Sequence, residues 1–315
     1  FEGGTNFGFM NGSNYYDVLT PDVTSYDYDA VLTEWGDITP KYRAFREIIS
    51  KYAPVGEMDF PVESKKIAYG ECKETGRVSL FETLNDISTP VTSAYPLCME
   101  KLDQGYGYTL YRSKLEKEKN ISKIRLYDAN DRAKVYVNEE HLITMYDLEL
   151  LKEHGVSCDF SESGRDNYID ILTENMGRVN FGPRIEKQRK GIDGTVALNG
   201  HGHFNWEHYP LPLDNIDKVD FTKPYKEGVP AFYRYEFEAS ESGDTFLDLE
   251  GFGKGVAFIN GFNLGRFWEI GPQKRLYVPG PLVKHGINEI IVFETEGKAG
   301  AGIKLVAEPD LGPVQ

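Results

Sequence analysis

Two stretches decide the fold: "KVYVNEEHL" at residues 134–142 and "VAFINGFNL" at residues 256–264. Each is an apolar and aromatic run that ends on Asn, turns, and resumes toward a Leu. Such short β-branched and aromatic runs bounded by turn residues read as strands. Asn tolerates the left-handed backbone of a two-residue hairpin turn; Asn260-Gly261 is a strong signal of one, Asn138-Glu139 a weaker one. The second stretch follows the first at an offset of 122 residues. "NYIDILTENMG" from Asn167 and "NEIIVFETEG" from Asn288 repeat at an offset of 121. Two motifs at nearly one offset predict two copies of a sandwich of ~120 residues, an ordinary domain size.

The pattern extends outward. From about residue 60, "RVSLFETL", "YGYTLYRSKL", "KIRLYDA", "YIDILTEN", "FYRYEFEA", "TFLDLEG" and "NEIIVFETE" also read as strands, separated by Gly, Asn, Asp and Pro. Strands at this spacing mean a mainly β chain of sandwich or barrel type. The expected division is a first β-sandwich over 56–213 and a second over 214–315. "FNWEHYPLPLDN", with Pro210 and Pro212, reads as a stiff linker between them.

Residues 1–55 differ. "ITPKYRAFREIISKYAP" reads as an amphipathic helix. Thr39 can cap it, Pro40 suits its first turn, and Pro54 stops it. Phe45, Ile48, Ile49 and Tyr52 share one face. The preceding "FMNGSNYYDVLTPDVTSYDYDAVLTEWGD" is too long and too aromatic for a connector, and long loops of this kind are functional or disordered.

Bulk properties narrow the function. With 315 residues, 40% of them hydrophobic and 27% charged, the chain has the composition of a soluble globular protein. Aromatics make up 13%, which suits sheet faces and sugar-handling surfaces alike. The formal charge of −15 repels phosphate backbones and anionic membranes, so nucleic-acid and membrane partners are not expected. No apolar run approaches the ~20 residues of a membrane helix. Cys72, Cys98 and Cys158 are odd in number and form no CxxC, so they read as free thiols of a reducing, cytoplasmic compartment.

A resemblance sharpens this. "GGTNFGFMNG" followed by "TSYDYDAVLTEWGDITPKY" resembles the last strand, loop and helix of the (β/α)8 barrel of glycoside hydrolase family 35, whose members are β-galactosidases. "SAYPLCME", "YGYTLYR", "DRAKVYVN", "ENMGRVNFG", "HYPLPLD", "PAFYRYEF", "GVAFINGFNLGRFW" and "GPQKRLYVP" continue it in family order over nearly the whole chain. The resemblance implies a barrel piece over 1–55 and then two jelly-roll-like domains, which agrees with the repeat. It implies a galactoside substrate, no cofactor and no metal.

Retaining glycosidases need two carboxyl groups roughly 5–5.5 Å apart. In the family both are glutamates on earlier barrel strands, expected upstream of residue 1. Neither carries over onto this sequence, so no catalytic residue is assigned and the chain alone is expected to be inactive. The resemblance does carry one substrate contact: Tyr28, the second Tyr of "TSYDYD", matches a family tyrosine of the galactose subsite. Tyr26 reads as packing. Asp27 and Asp29 are two apart, as a carboxylate pair would be, but one short segment rarely holds a whole dyad; they read as acceptors for loop amides. Glu2 departs from the family's usual His or aliphatic residue and reads as a supporting group.

Other patterns weigh less. His201, His203 and His208 have spacing that could ligate zinc, yet no Cys is near and incidental loop imidazoles are the plainer reading. "GFGKGV" echoes a phosphate loop, but no helix is expected after it, so it reads as turns before a strand. Trp206, Phe267 and Trp268 could form a sugar platform or fill a core. Two other functions compete: a free-standing carbohydrate-binding module, which a sugar-sized aromatic groove would favour, and a structural module forming a homodimer, which a flat apolar interface would favour.

Overall fold

A computed structural model describes residues 3–53, 60–115, 120–159, 166–300 and 302–312. It is mainly β and divides into two compact units: residues 11–22 with 78–230, and residues 1–10 and 23–77 with 231–315. Among the described residues no helix is long and apolar enough to cross a membrane.

The unit built on 78–230 is a sandwich. One sheet has six antiparallel strands in the order Val91–Ser93, Trp206–Leu211, Tyr108–Lys114, Tyr168–Glu174, Arg132–Val137, Glu140–Tyr146. The other has four, in the order Glu153–Asp159, Asn120–Leu126, Val196–Leu198, His201–His203. Inward-facing residues of both, among them Tyr111, Val135 and Ile171 from the first and Ile121, Ile124 and Val196 from the second, make one core. In the other unit a single sheet of eight strands runs Phe262–Trp268, Lys254–Ile259, Gly286–Glu294, Ala231–Ala239, Gly70–Ser79, Ile303–Val306, Thr245–Asp248, Arg275–Val278, and its two end strands approach each other.

The sequence repeat is a structural repeat. In both sheets the strand order is the same: Tyr108–Lys114, Tyr168–Glu174, Arg132–Val137, Glu140–Tyr146 in one, and Ala231–Ala239, Gly286–Glu294, Lys254–Ile259, Phe262–Trp268 in the other. Both hairpins turn on two residues of positive φ, Asn138 (50°) with Glu139 (65°) and Asn260 (49°) with Gly261 (84°). The weaker sequence signal therefore makes the same turn as the strong one. Each turn Asn also clamps the neighbouring strand. Asn138 Nδ2 donates to Asn167 Oδ1 at 2.8 Å, and Tyr168 N donates to Asn138 Oδ1 at 3.0 Å. Asn260 Nδ2 donates to Asn288 Oδ1 at 2.8 Å, and Glu289 N donates to Asn260 Oδ1 at 3.1 Å.

Three expectations change. "RVSLFETL" is not one strand: the strand Gly70–Ser79 ends and a helix, Leu80–Ile87, begins. Leu80, Phe81, Leu84 and Ile87 are buried, so a helical stripe was hidden in an apparent alternation. "FNWEHYPLPLDN" is not a linker, because Trp206–Leu211 is an internal strand paired with Tyr108–Lys114. Pro210 is tolerated there because Val91–Ser93, on the strand's other side, pairs only with residues 206–208 and asks for no amide at 210. Finally, Gly70–Ser79 lies inside the interval 56–213 but pairs with Ile303–Val306, so the first part of that interval builds the second sheet. Long-range strand pairing leaves no local sequence signal.

The long N-terminal stretch is structured in part. Gly12–Tyr15 pairs in parallel with Arg178–Phe181 and antiparallel with Leu19–Pro21. Asn11 Nδ2 donates to Met176 O at 2.7 Å, and Ser13 Oγ donates to Gly177 O at 3.0 Å.

Asn260→Ala should destabilise the protein by about 1–3 kcal/mol, since it removes bonds to Leu282 O, Asn288 and Glu289 N and puts Ala at positive φ. Chemical denaturation of the purified variant reads this directly; an unchanged midpoint would show that the clamp is dispensable.

Candidate functional site

The loop carrying Tyr28 is built from the first described residues. Gly3 approaches Ala30 so closely that a Cβ there would lie 2.8 Å from the Ala30 Cβ, and Gly4 adopts φ +118°. Both glycines are thus required by the backbone. They let the segment run beside residues 24–26: Asn6 N donates to Thr24 O at 2.7 Å, and Tyr26 N to Gly4 O at 2.8 Å. The same loop is tied to the eight-stranded sheet of its own unit. Thr24 Oγ1 donates to Arg266 O at 2.7 Å, Ser25 N to Gln273 Oε1 at 2.8 Å, and Gly8 N to Asn263 O at 3.0 Å. Trp35 meets Phe246 edge to face with ring centres 5.1 Å apart.

Within this frame Tyr28 is 61% exposed, and its ring meets Tyr26 edge to face at 5.0 Å. Asp27 does what a turn-forming carboxylate does. Oδ2 accepts from Glu34 N at 3.0 Å and Oδ1 from Ala30 N at 3.4 Å. Asp29, at φ 59°, turns outward to pair with Lys41, which also donates to the Asp29 carbonyl at 2.5 Å. The two aspartates are therefore occupied separately. Glu2 lies outside the described residues.

The helix Pro40–Ser50 forms as expected, with Tyr42 N donating to Thr39 Oγ1 at 3.2 Å and Pro40 in the first turn. None of its residues is buried; Ile48 and Ile49 are half exposed and Tyr52 more so. Pro54, its expected stop, lies outside the described residues.

Sequence reasoning missed Glu34. Thr5 Oγ1 donates to Glu34 Oε1 at 2.8 Å, while Oε2 is buried with no hydrogen-bond partner among the described residues. Burial pushes this carboxyl up to about 7, against the pull of the Thr5 and Ser25 hydroxyls, with Asp27 adding to the rise. A Glu placed between Thr33 and Trp35 has a weak signal at best: short of the fold, nothing says it points inward.

Of the three clustered histidines, His203 and His208 serve the framework, while His201 is exposed. His203 Nε2 lies 2.9 Å from Ser113 Oγ. His208 accepts from Leu97 N at 3.1 Å through Nε2, and its Nδ1 lies 2.6 Å from Val91 O, so the neutral ring fits both contacts; burial also lowers its pKa. Among the described residues, no three His, Cys, Asp or Glu side chains are placed to hold a metal. Of the aromatic trio, Trp206 and Phe267 are buried, whereas Trp268 is half-buried and lines a cleft.

Comparison with known proteins covers each part. Residues 1–52 match the family model "Glycosyl hydrolases family 35", residues 96–212 "Beta-galactosidase, first all-beta domain", and residues 230–288 "Beta-galactosidase, galactose-binding domain". The chain is 38% identical to human beta-galactosidase-1-like protein 2, over 99% of its own length and 49% of the relative's. It is 37% identical to beta-galactosidase 17 of Arabidopsis thaliana, over 93% and 47%, and 35% identical to the beta-galactosidase of Bos taurus, over 94% and 48%. The chain thus spans about half the length of the curated relatives it matches.

Glu34 gives a pH prediction. Its folded pKa is raised above the unfolded value of 4.5, so its contribution is fully present below about 4.5 and is lost as pH rises through about 7. Glu34→Gln should therefore be most stabilising, relative to the parent, at pH 8, by on the order of 2–3 kcal/mol, and should lose that advantage near pH 4.5. Melting temperatures of both proteins across this range test it; a constant difference would contradict it.

Proposed function

We propose that the chain is the C-terminal part of a retaining exo-β-galactosidase of glycosyl hydrolase family 35 that releases terminal non-reducing β-D-galactose, a reading supported by the family-model matches and by the relatives it resembles. The observation that carries the proposal is the loop around Tyr28. Its backbone is fixed on both sides, to residues 4–6 by amide hydrogen bonds and to the eight-stranded sheet by Thr24 and Ser25, yet the phenol stands exposed. A phenol so held can stack on the apolar face of a sugar and hydrogen-bond a hydroxyl or a carboxylate.

In this reading the acid/base and the nucleophile are two glutamates on earlier strands of a (β/α)8 barrel, outside this sequence. They would stand ~5–5.5 Å apart and pass through a galactosyl-enzyme intermediate. This chain supplies one wall of the pocket. The exposed apolar side of the helix Pro40–Ser50 fits a further layer of barrel packed over it. The division 1–55, 56–213 and 214–315 is kept as a domain proposal, amended by the placement of residues 70–77. The thiols support a reducing, cytoplasmic compartment: Cys72, Cys98 and Cys158 are all free, and burial pushes the first two up to about 12 and about 11.

The homogeneous 315-residue chain should not hydrolyse a chromogenic β-galactoside, and an added fragment carrying the rest of the barrel should restore turnover. Activity of the chain alone, copurifying through orthogonal steps, would refute the assignment of both glutamates to the other part.

In the whole enzyme, Tyr28→Phe removes one hydroxyl. Losing a hydrogen bond to a charged group costs about 1.5–3 kcal/mol, roughly 10- to 150-fold in kcat/KM. The melting temperature should stay within a degree or so, since an exposed phenol adds little to a core. Tyr26→Phe should leave kcat/KM unchanged. The reverse pattern would mean that the substrate contact is misassigned on this loop.

A further inference from the structure

In the unit built on 78–230, a cleft of about 280 Å³ is lined by residues from 184–189, from the turn at 128–130 and from 147–151, together with the buried Tyr15. It lies just below the ~300–1,000 Å³ usual for drug-sized ligands and so suits a smaller molecule. Backbone contacts hold its walls. Asn130 Nδ2 donates to Arg189 O at 2.9 Å, Asp193 N to Asp128 O at 3.0 Å, and Asp147 N to Asp131 O at 3.0 Å. Lys187 N and Gln188 N both donate to Arg184 O at 3.2 Å. Asp128 and Asp147 adopt φ of 52° and 49°, a turn backbone that Asp tolerates.

The lining carries both signs of charge. Arg184, Lys187 and Arg189 bring cations, and Asp128 and Asp147 bring carboxylates. A third carboxylate, Asp193, is taken by Lys101 at 2.7 Å. Among the described residues no ion pair joins the first five to one another or to any other group, although all line one cleft. Burial raises the Tyr15 pKa, while Arg184 pulls it down and Asp147 pushes it up, so opposite charges flank one neutral phenol. The Arg184 guanidinium lies 4.6 Å from the centre of that ring. Two polar groups are left open. The Tyr15 hydroxyl makes no hydrogen bond among the described residues, and Gln188 Oε1 is buried without a partner. A buried oxygen left unpaired costs free energy that a ligand donor would recover. A simple anion would meet Asp128 and Asp147, and a simple cation would meet three basic groups. A molecule that carries both charges gains from both sides.

We propose that this cleft binds a free α-amino acid with an apolar side chain, its carboxylate on Arg184 and Lys187 and its ammonium on the side of Asp128, Asp147 and Gln188. A carboxylate matches the planar fork of a guanidinium, with an ammonium beside it as a second positive charge. The ligand's own ammonium donates three hydrogen bonds, which suits carboxylates and an amide oxygen. Leu151, 58% exposed in the same lining, offers contact to the apolar side chain. A merely solvated charged surface would explain neither the buried, unpartnered Gln188 oxygen nor five unpaired charges around one cleft. Binding here is independent of the glycosidase reading.

The test is isothermal titration of the 315-residue chain with L-leucine, L-methionine and L-phenylalanine, with N-acetyl-L-leucine and L-leucinamide, and with inorganic phosphate. At least one of the free amino acids should bind saturably. N-acetyl-leucine, which lacks the ammonium, and leucinamide, which lacks the carboxylate, should each bind roughly tenfold more weakly than leucine or not at all. Asp147→Asn keeps a residue that tolerates the turn and should narrow the gap between leucine and N-acetyl-leucine. Arg184→Gln should narrow the gap between leucine and leucinamide. Melting temperatures of both variants establish that they are folded, and if either is not, the comparison of ligands on the parent chain decides alone. Absence of saturable binding by all three amino acids, equal affinity for leucine and either blocked analogue, tighter binding of phosphate than of leucine, or unchanged gaps in both folded variants would each overturn the proposal. Because the titration involves no hydrolysis, its failure leaves the glycosidase reading standing, and the reverse holds as well.

Discussion

The clamp made by one turn asparagine on the next strand is the constraint from which both sheets follow. Asn138 and Asn260 close their hairpins with a left-handed backbone and then satisfy an amide and an Asn side chain on the neighbouring strand. That fixes register. A slip of one residue would turn every inward side chain to the other face, since side chains alternate along a strand. Ile169 opposite Val137, and Ile290 opposite Ile259, sit one step from these clamps and begin the buried runs of each sheet. Backbone and side-chain polarity therefore decides where apolar burial happens, and burial supplies most of the stabilising free energy.

The same economy of polar contacts attaches the Tyr28 loop. Its tethers to the sheet at Thr24 and Ser25 hold the backbone from which the Tyr28 ring stands exposed, while Ala30, Val31 and Glu34 beyond it are buried. Asp27, which pattern alone could have cast as half of a catalytic pair, organises the turn by accepting two amides. Glu34 is the costly member of this arrangement. A carboxyl buried with one oxygen unpaired is held near neutrality because desolvation outweighs the hydroxyls around it. Groups in that state are found at functional sites as well as in frameworks. Its place beside Asp27 puts it under the loop that carries the exposed phenol.

Legibility from sequence varied with the range of the interaction. The helix Pro40–Ser50 was readable because its cap, its Pro and its spacing are all local. Most strands were readable for the same reason, and so was the family, whose motifs are short and ordered. The segment 80–87 was misread because eight residues of apolar and polar mixture satisfy either period until the burial of Leu80, Leu84 and Ile87 on one side decides. Trp206–Leu211 was misread because two prolines outweighed the alternation, although Pro210 costs nothing where no partner amide is called for. Tyr28 was singled out only through resemblance, since nothing in "TSYDYD" alone separates it from Tyr26.

By itself, then, the sequence determined the repeat, the hairpins and the type of chemistry open to the chain, because turn geometry, strand period and charge are properties of neighbouring residues. Only the tertiary structure decided that Gly70–Ser79 joins Ile303–Val306, that Glu34 is buried, and that Trp268 lines a cleft while Trp206 fills a core. Each of these depends on groups far apart in the chain, whose closeness is a result of collapse around the sheets, and no local pattern records it.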